Sequence, residues 1–211
     1  MTRAKRAFDL AASLTGLAVA SPLFAVIVLA IKAGDGGPIF FRQERIGYRG
    51  RPFRMWKFRT MVADAGRTGP LLTIGDDPRI TRVGRLLRRF KLDELPQLLN
   101  VLAGDMSLVG PRPEVALYVT QYTPDQKRVL ELVPGITDPA SIRYRNEGRL
   151  LAEAADPELV YVRDIMPDKI RINLDYAARA SLWSDLRILL STAKVVRSKD
   201  ELASAPPSPS R

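Results

Sequence analysis

The chain has 211 residues, a formal net charge of +10, and neither histidine nor cysteine. Disulfides, thiolate nucleophiles, histidine bases and the usual zinc ligands are therefore excluded. Any catalysis must use carboxylates, Lys, Arg, hydroxyl groups or a hard cation such as magnesium, and the basic charge favours an anionic partner. The length fits one domain with small appendages.

An uncharged segment spans residues 10–31, and as an unbroken helix it would reach about 33 Å, enough to cross a bilayer core of roughly 30 Å. Pro22 follows Ser21 in its middle, and proline kinks or breaks a helix. Basic residues flank both ends, which favours both ends on the cytoplasmic side. The residues alone leave three alternatives: a re-entrant helix broken at Ser21-Pro22, a single-pass helix, or a secretory signal peptide.

Strand-like and loop-like segments follow. Residues 39–43 and 53–58 have strand-like sequences, and the glycines and proline of 47–52 supply a turn, so residues 39–60 are predicted to form a β-hairpin. Residues 62–78 are rich in Gly, Asp, Thr and Pro and are predicted to form a loop of functional importance.

Two amphipathic helices are predicted next. Residues 79–90 place five apolar side chains at helical spacing and four arginines opposite, which suits either an anionic membrane surface or an ordinary surface helix. Residues 93–103 place leucines on one face and Asp93, Gln97 and Asn100 on the other. Pro96 is tolerated only in a first turn, so this second helix is predicted to begin near Asp93.

The adjacent carboxylates Asp93 and Glu94 are the main candidates for chemistry. Acidic residues at a helix N-terminus are often only caps. A carboxylate can also attack phosphorus and hold it covalently when cations or a metal screen the phosphate. Four basic residues are candidates for binding that phosphate: Arg88, Arg112, Lys57 and Arg59. Arg112 stands out because prolines on both sides hold its backbone stiffly.

The remaining chain carries fewer chemical signals. Residues 157–180 and 184–197 are predicted to be helical, and residues 198–211 are predicted to be a disordered tail. The expected fold is α+β and α-rich. Its parts are a membrane helix-break-helix at 1–34, one catalytic domain with a small β-hairpin and interfacial amphipathic helices at 35–197, and the tail.

Six motifs in order across residues 5–137 resemble the bacterial sugar transferases, the small monotopic polyprenol-phosphate phosphoglycosyl transferases. The motifs are Lys5-Arg6-Ala7-Phe8-Asp9, Ser21-Pro22, Phe41-Arg42-Gln43-Glu44-Arg45-Ile46-Gly47, Lys57-Phe58-Arg59-Thr60-Met61, Leu92-Asp93-Glu94-Leu95-Pro96-Gln97, and Gly104-Asp105-Met106-Ser107-Leu108-Val109-Gly110-Pro111-Arg112-Pro113-Glu114. The match is to the short form of the family, without additional transmembrane helices before the catalytic domain.

The resemblance implies an enzyme that moves a sugar-1-phosphate from a UDP-sugar to polyprenol (undecaprenyl) phosphate, releases UMP and starts a bacterial surface-glycan pathway. It implies that Asp93 is the nucleophile, that Glu94 completes a dyad, and that both carboxylates hold Mg²⁺. It implies phosphate binding by Arg88 and Arg112, and a Ser21-Pro22 break that keeps the protein monotopic on the cytoplasmic face of the inner membrane. Membrane lipid and downstream glycosyltransferases are the expected partners.

Three other functions remain in competition. A non-enzymatic basic module could bind acidic lipid or a partner protein, with Asp93 and Glu94 serving only as caps. An ordinary glycosyltransferase would release UDP. A nucleic-acid-binding protein is disfavoured because the sequence lacks a binding motif or a stacking surface, and nucleic acid is not expected as a partner. The sequence does not identify the sugar, the glycan, the polyprenol length or the oligomeric state.

Overall fold

The structure is a computed structural model that describes residues 1–63, 65 and 77–197. In chain order, its helices and strands are α1 (Arg3–Asp35), β1 (Phe40–Ile46), β2 (Pro52–Phe58), α2 (Arg82–Arg89), α3 (Gln97–Ala103), β3 (Ser107–Val109), α4 (Ala116–Val119), β4 (Gly135–Thr137), α5 (Pro139–Arg143), α6 (Glu147–Ala152), α7 (Pro157–Val160), α8 (Met166–Ala177) and α9 (Leu182–Arg197). Short 3₁₀ helices lie at Tyr48–Gly50, Leu92–Glu94 and Gln126–Glu131, and a π-helical turn joins α7 to α8. Most of the predicted loop at 62–78 and all of the predicted tail lie outside the described residues.

Helix α1 is continuous, and at ~1.5 Å per residue its 33 residues extend about 50 Å. The predicted break at Ser21-Pro22 is therefore wrong at the level of secondary structure. Pro22 has no N–H to donate to the carbonyl oxygen of Ala18, but the Ser21 hydroxyl donates to that oxygen at 2.8 Å. The helix passes the proline with this carbonyl still hydrogen-bonded, and its path relative to a membrane stays a prediction.

Both halves of α1 contact the rest of the protein. Near its start, the Arg6 guanidinium donates to the last carbonyls of α3, at 2.6 Å to Val101 and 3.0 Å to Leu102. Near its end, Ile27 and Ile31 are buried in a cluster with side chains of β2 and α2. Residues 18–19 and 21–23 in the middle are exposed. Among the described residues, α1 is the one helix long and apolar enough to cross a membrane.

The predicted hairpin is confirmed, with β1 and β2 antiparallel and Phe40 opposite Phe58. The sequence analysis missed a second, parallel pair, in which Ser107 of β3 lies opposite Gly135 of β4. The two chains approach closely here, since a Cβ on Gly135 would lie 2.1 Å from the backbone nitrogen of Gly110. The two small sheets among many helices confirm the α+β, α-rich class.

The two helices around the carboxylates begin later than predicted. Helix α2 begins at Arg82 because the Thr81 hydroxyl caps it, accepting from the backbone of Gly84 at 2.9 Å. Helix α3 begins at Gln97, because Pro96 cannot donate a backbone hydrogen bond and the preceding residues 92–94 wind as a 3₁₀ turn. Its polar face is turned inward, with Gln97 and Asn100 buried.

Candidate active site

A cleft of about 990 Å³ lies between the hairpin, the end of α2, the 3₁₀ turn at Leu92–Glu94, and the C-terminal helices α5, α6 and α9. This volume is at the upper end for small-molecule sites, which hold roughly 300–1,000 Å³. Of the described residues that line it, ten are Lys or Arg and three are Asp or Glu. Such an excess of positive charge attracts a phosphorylated ligand.

Asp93 lies in the 3₁₀ turn at the floor of this cleft and is 6% exposed. Its Oδ1 is buried and has no hydrogen-bond partner within the part of the chain that the structure describes. Burial, and then the charge of Glu94, raise the pKa of Asp93, while Lys57 opposes the shift. A buried carboxylate oxygen without a hydrogen-bond partner lowers the stability of the fold, so this arrangement is typical of a group that binds or reacts with a ligand.

Glu94 has a different environment. The Arg112 guanidinium donates to both of its oxygens, through Nη1 to Oε2 at 3.2 Å and through Nη2 to Oε1. The Lys57 ammonium lies 3.7 Å from Oε1. Burial alone would raise the pKa of Glu94, but the charges of Arg112 and Lys57 outweigh burial and hold the pKa well below its ordinary value. Glu94 thus stays ionised and paired, and the two adjacent carboxylates are suited to different roles.

The segment that carries Arg112 is fixed from the hairpin side. The Arg45 guanidinium donates to the carbonyl oxygen of Pro113 at 3.1 Å, and the Ile46 backbone donates to the carbonyl oxygen of Glu114 at 2.8 Å. The Tyr161 hydroxyl donates to the Glu114 carboxylate. Sequence reasoning missed these supports as functional residues, although Arg45 and Glu114 stand within the motifs that carried the family resemblance.

The other predicted phosphate-binding residues line the same cleft. Burial lowers the pKa of Lys57 to about 8, with Glu94 opposing the shift. The Arg88 Nε donates to the Thr60 hydroxyl at 2.9 Å, which aims its guanidinium, and burial lowers the pKa of Arg88. The Arg59 Nε donates to the carbonyl oxygen of Pro38, just before β1, at 2.6 Å. The structure therefore brings Lys57, Arg59, Arg88 and Arg112 together around the dyad.

The dyad also fits the predicted magnesium ion, in part. Within residues 1–63, 65 and 77–197, no group of three or more carboxylates gathers in a way that could hold a metal. Magnesium, however, is usually bound by one or two carboxylates together with substrate phosphates and water. The Oδ1 of Asp93 is available for such binding, whereas both oxygens of Glu94 accept hydrogen bonds from Arg112. Asp93 is therefore the better ligand, and magnesium itself stays a prediction.

Comparison with known proteins identifies the family. The sequence profile of the bacterial sugar transferases matches residues 1–199. The chain belongs to the bacterial sugar transferase family. This confirms the resemblance and the prediction of an enzyme.

Three relatives illustrate how far the similarity extends. The chain is 40% identical over 207 residues to the UDP-glucose:undecaprenyl-phosphate glucose-1-phosphate transferase of Caulobacter vibrioides, covering 93% of this chain and 70% of that protein. It is 40% identical over 192 residues to the uncharacterized sugar transferase EpsL of Bacillus subtilis, covering 91% and 86%. It is 38% identical over 204 residues to the galactosyl transferase CpsE of Streptococcus agalactiae, covering 92% of this chain and 42% of CpsE. This bacterial sugar transferase thus spans less than half of CpsE but most of EpsL.

Proposed function

We propose that the protein transfers a sugar-1-phosphate from a UDP-sugar to polyprenol phosphate through a covalent aspartyl intermediate, and that it releases UMP. The observation that carries this proposal is Asp93, a buried carboxylate with an unpaired oxygen on the floor of a strongly basic cleft. The names of several relatives, which specify undecaprenyl phosphate as acceptor and UDP-glucose as donor, support the same reaction.

In the first half-reaction, an Asp93 carboxylate oxygen attacks the phosphorus atom that carries the sugar. The bond from Asp93 to phosphorus forms, the bond from that phosphorus to the bridging oxygen of the diphosphate breaks, and UMP leaves with the bridging oxygen and its electron pair. Burial strips water from the attacking carboxylate, which makes it a better nucleophile than a solvated one. Lys57, Arg88 and Arg112 line the cleft where the phosphate charge would lie, and their fixed cations would stabilise the transition state.

In the second half-reaction, an oxygen of polyprenol phosphate attacks the same phosphorus atom and frees Asp93. The product is a polyprenol-diphospho-sugar. Glu94 takes no direct part in either bond change. Its ion pair with Arg112 holds that arginine in the cleft and keeps a second negative charge neutralised beside the nucleophile. A bound magnesium ion, held by Asp93 and the substrate phosphates, would supply further charge neutralisation.

The contacts of α1 support a location at the membrane surface. Its two halves contact the same folded unit that forms the cleft, through Arg6 at one end and Ile27 and Ile31 at the other. A helix that spanned the bilayer would separate these contacts by roughly 30 Å of hydrocarbon. A path that bends at Pro22, where proline can kink a helix without ending it, and that enters and leaves one leaflet keeps both contacts. It exposes the apolar middle to lipid and leaves the cleft at headgroup level. We propose that the protein lies on the cytoplasmic face of the bacterial inner membrane, the side on which the basic residues at both flanks of α1 favour its two ends.

Nucleotide release tests this proposal. Purified full-length protein in detergent would be mixed with polyprenol phosphate, magnesium and a panel of UDP-sugars, and UMP and UDP would be measured separately. We expect UMP that depends on the lipid and on one donor. Asp93→Asn should abolish it, whereas Asp125→Asn, at an exposed position outside the cleft, should leave it unchanged. UDP would instead identify an ordinary glycosyltransferase, and the absence of both nucleotides with every donor would favour a non-enzymatic lipid-binding module.

A further inference from the structure

Gln97 is a buried amide for which the proposed reaction has so far given no role. It is the first residue of α3 and its side chain is completely buried. Neither its Oε1 nor its Nε2 has a hydrogen-bond partner within the described residues. A buried amide without partners lowers stability, and a protein that keeps one usually needs it for function.

The nearest unpaired group along the chain is the nucleophile itself. Gln97 follows Asp93 by four residues, and the intervening Leu95 and Pro96 keep right-handed helical dihedrals. Residues four apart along right-handed helical backbone lie on roughly the same side, and both side chains are buried, which puts Asp93 and Gln97 on the inward side of this segment. Asn100, on the same face, is fully engaged: it accepts from the Trp56 backbone and donates to the Arg54 carbonyl and to Asp105.

The two unpaired groups are chemically complementary, since an amide nitrogen donates hydrogen bonds and a carboxylate oxygen accepts them. We propose that Gln97 is a positioning residue, whose side-chain Nε2 donates to Asp93 Oδ1 through one bridging water molecule and fixes the carboxylate for attack on the donor phosphorus. The hydrogen bond selects one orientation of Asp93 and leaves its second oxygen free to react. It uses one lone pair of Oδ1, and the other stays available to magnesium. This inference rests on the proposed function and adds a specific residue to it.

A competing partner for Gln97 lies on α1. The Ser13 hydroxyl is also completely buried and unpaired, and Gly16, one turn further on, has its Cβ position 3.2 Å from a Leu98 methyl group. A bond between Ser13 and Gln97 would only join α1 to α3. The carboxylate is the favoured partner because charge-assisted hydrogen bonds are about twice as strong as neutral ones. Ser13 can instead donate to a carbonyl of its own helix one turn earlier.

Gln97→Leu tests this role, because leucine fills nearly the same volume without an amide. The assay is rapid-quench measurement of the covalent phosphosugar adduct on full-length protein, with a UDP-sugar and no lipid acceptor. The amplitude counts the competent protein, and the rate constant reports how well the nucleophile is oriented. We expect the rate constant to fall by about 10- to 100-fold, the effect of losing one hydrogen bond to a charged group. The donor concentration at half-maximal rate should stay within about threefold, since Gln97 does not line the cleft.

Stability and two further variants separate positioning from packing. The thermal midpoint of Gln97→Leu should fall modestly, because the buried Asp93 carboxylate loses a hydrogen-bond donor, while an unchanged adduct amplitude would show that the variant is folded and competent. Gln97→Glu keeps the size of the side chain but replaces the donor with an acceptor, and its rate constant should fall at least as far. It replaces Gln97→Leu as the test if the leucine variant does not fold. Ser13→Ala should react at the wild-type rate.

A wild-type rate constant in both Gln97 variants would overturn the assignment. Equal slowing by Ser13→Ala would also overturn it, because Gln97 would then serve the α1–α3 contact. A wild-type protein that forms no adduct with any donor would overturn the proposed function, and this role would fall with it. That outcome is distinct from a reactive wild type whose Gln97 variants are equally reactive.

Discussion

Removing the Arg112 side chain tests the electrostatic account of the dyad. In Arg112→Met the chain keeps a long apolar side chain, but both oxygens of the buried Glu94 lose their donors. Breaking a buried ion pair by removing one partner costs about 3–5 kcal/mol. The Lys57 ammonium, 3.7 Å from Glu94, remains and compensates part of the Glu94 charge. We therefore expect a loss of folding free energy at the lower end of this range, about 3 kcal/mol. For a chain of this size that corresponds to a fall of roughly 6–12 °C in the thermal midpoint.

The matched control is Arg143→Met. Arg143 pairs with Asp168 at 3.6 Å at a half-exposed site, and Asp168 keeps hydrogen bonds from Tyr144 and Arg171. Removing such a surface partner should cost at most about 1 kcal/mol. Thermal unfolding followed by circular dichroism in one detergent compares the two variants with the wild type.

The pH dependence of stability tests whether the ionised form of Glu94 is the one that the ion pair stabilises. The pKa of Glu94 is lowered from 4.5 by its cations, so the stabilisation from the ionised pair is present above that value and is lost as the pH falls. The deficit of Arg112→Met should therefore be largest near neutral pH and shrink as the pH falls below 4.5. Equal midpoints for the two variants at pH 7, or a deficit that grows with acidity, would refute the reasoning.

Three further predictions concern the cleft. Because the pKa of Lys57 is lowered to about 8, its charge is lost as the pH rises through that value, and kcat/KM should fall there. Lys57→Arg should move this decline to higher pH. A decline at the same pH in the variant would show that Lys57 is not the group that titrates. Thr60→Val removes the acceptor that aims Arg88 and should raise the donor KM about three- to tenfold in steady-state assays, and an unchanged KM would contradict this. Gly84→Ala places a Cβ 2.0 Å from the Thr60 carbonyl oxygen and should lower the thermal midpoint sharply. Gly34→Ala, with no atom within 4 Å of its Cβ, should leave the midpoint unchanged. Equal midpoints would show that the backbone near Thr60 shifts to accommodate the methyl group.

The sequence predicted the local features of the site well. The strand-like segments on either side of the turn at 47–52 indicated the hairpin, and the motifs around Asp93 and Arg112 indicated the family and the residues that line the cleft. These signals lie within short stretches, where spacing and residue type carry most of the information.

Features that depend on contacts between distant segments were not predictable in this way. The pairing of Glu94 with Arg112 joins residues 18 apart, and the parallel β3–β4 pair joins two segments of three residues each, too short for a periodic pattern. The inward polar face of α3 reverses the usual burial preference, and its Asn100 is satisfied by the backbone of Trp56 and Arg54 and by Asp105, which are distant in sequence or outside the helix. The continuity of α1 past Pro22 depends on one hydroxyl, that of Ser21, whose direction the sequence does not specify.

The covalent intermediate is the central claim, and intact-protein mass spectrometry tests it most directly. Wild-type protein would be exposed briefly to its UDP-sugar with magnesium but without polyprenol phosphate, and then quenched in acid. We predict a mass increase equal to one sugar phosphate less one water molecule, mapped by peptide sequencing to Asp93, absent from Asp93→Asn and removed when polyprenol phosphate is added before the quench. An adduct that persists in Asp93→Asn, or UMP formation with lipid present but no adduct at any time in its absence, would contradict the account.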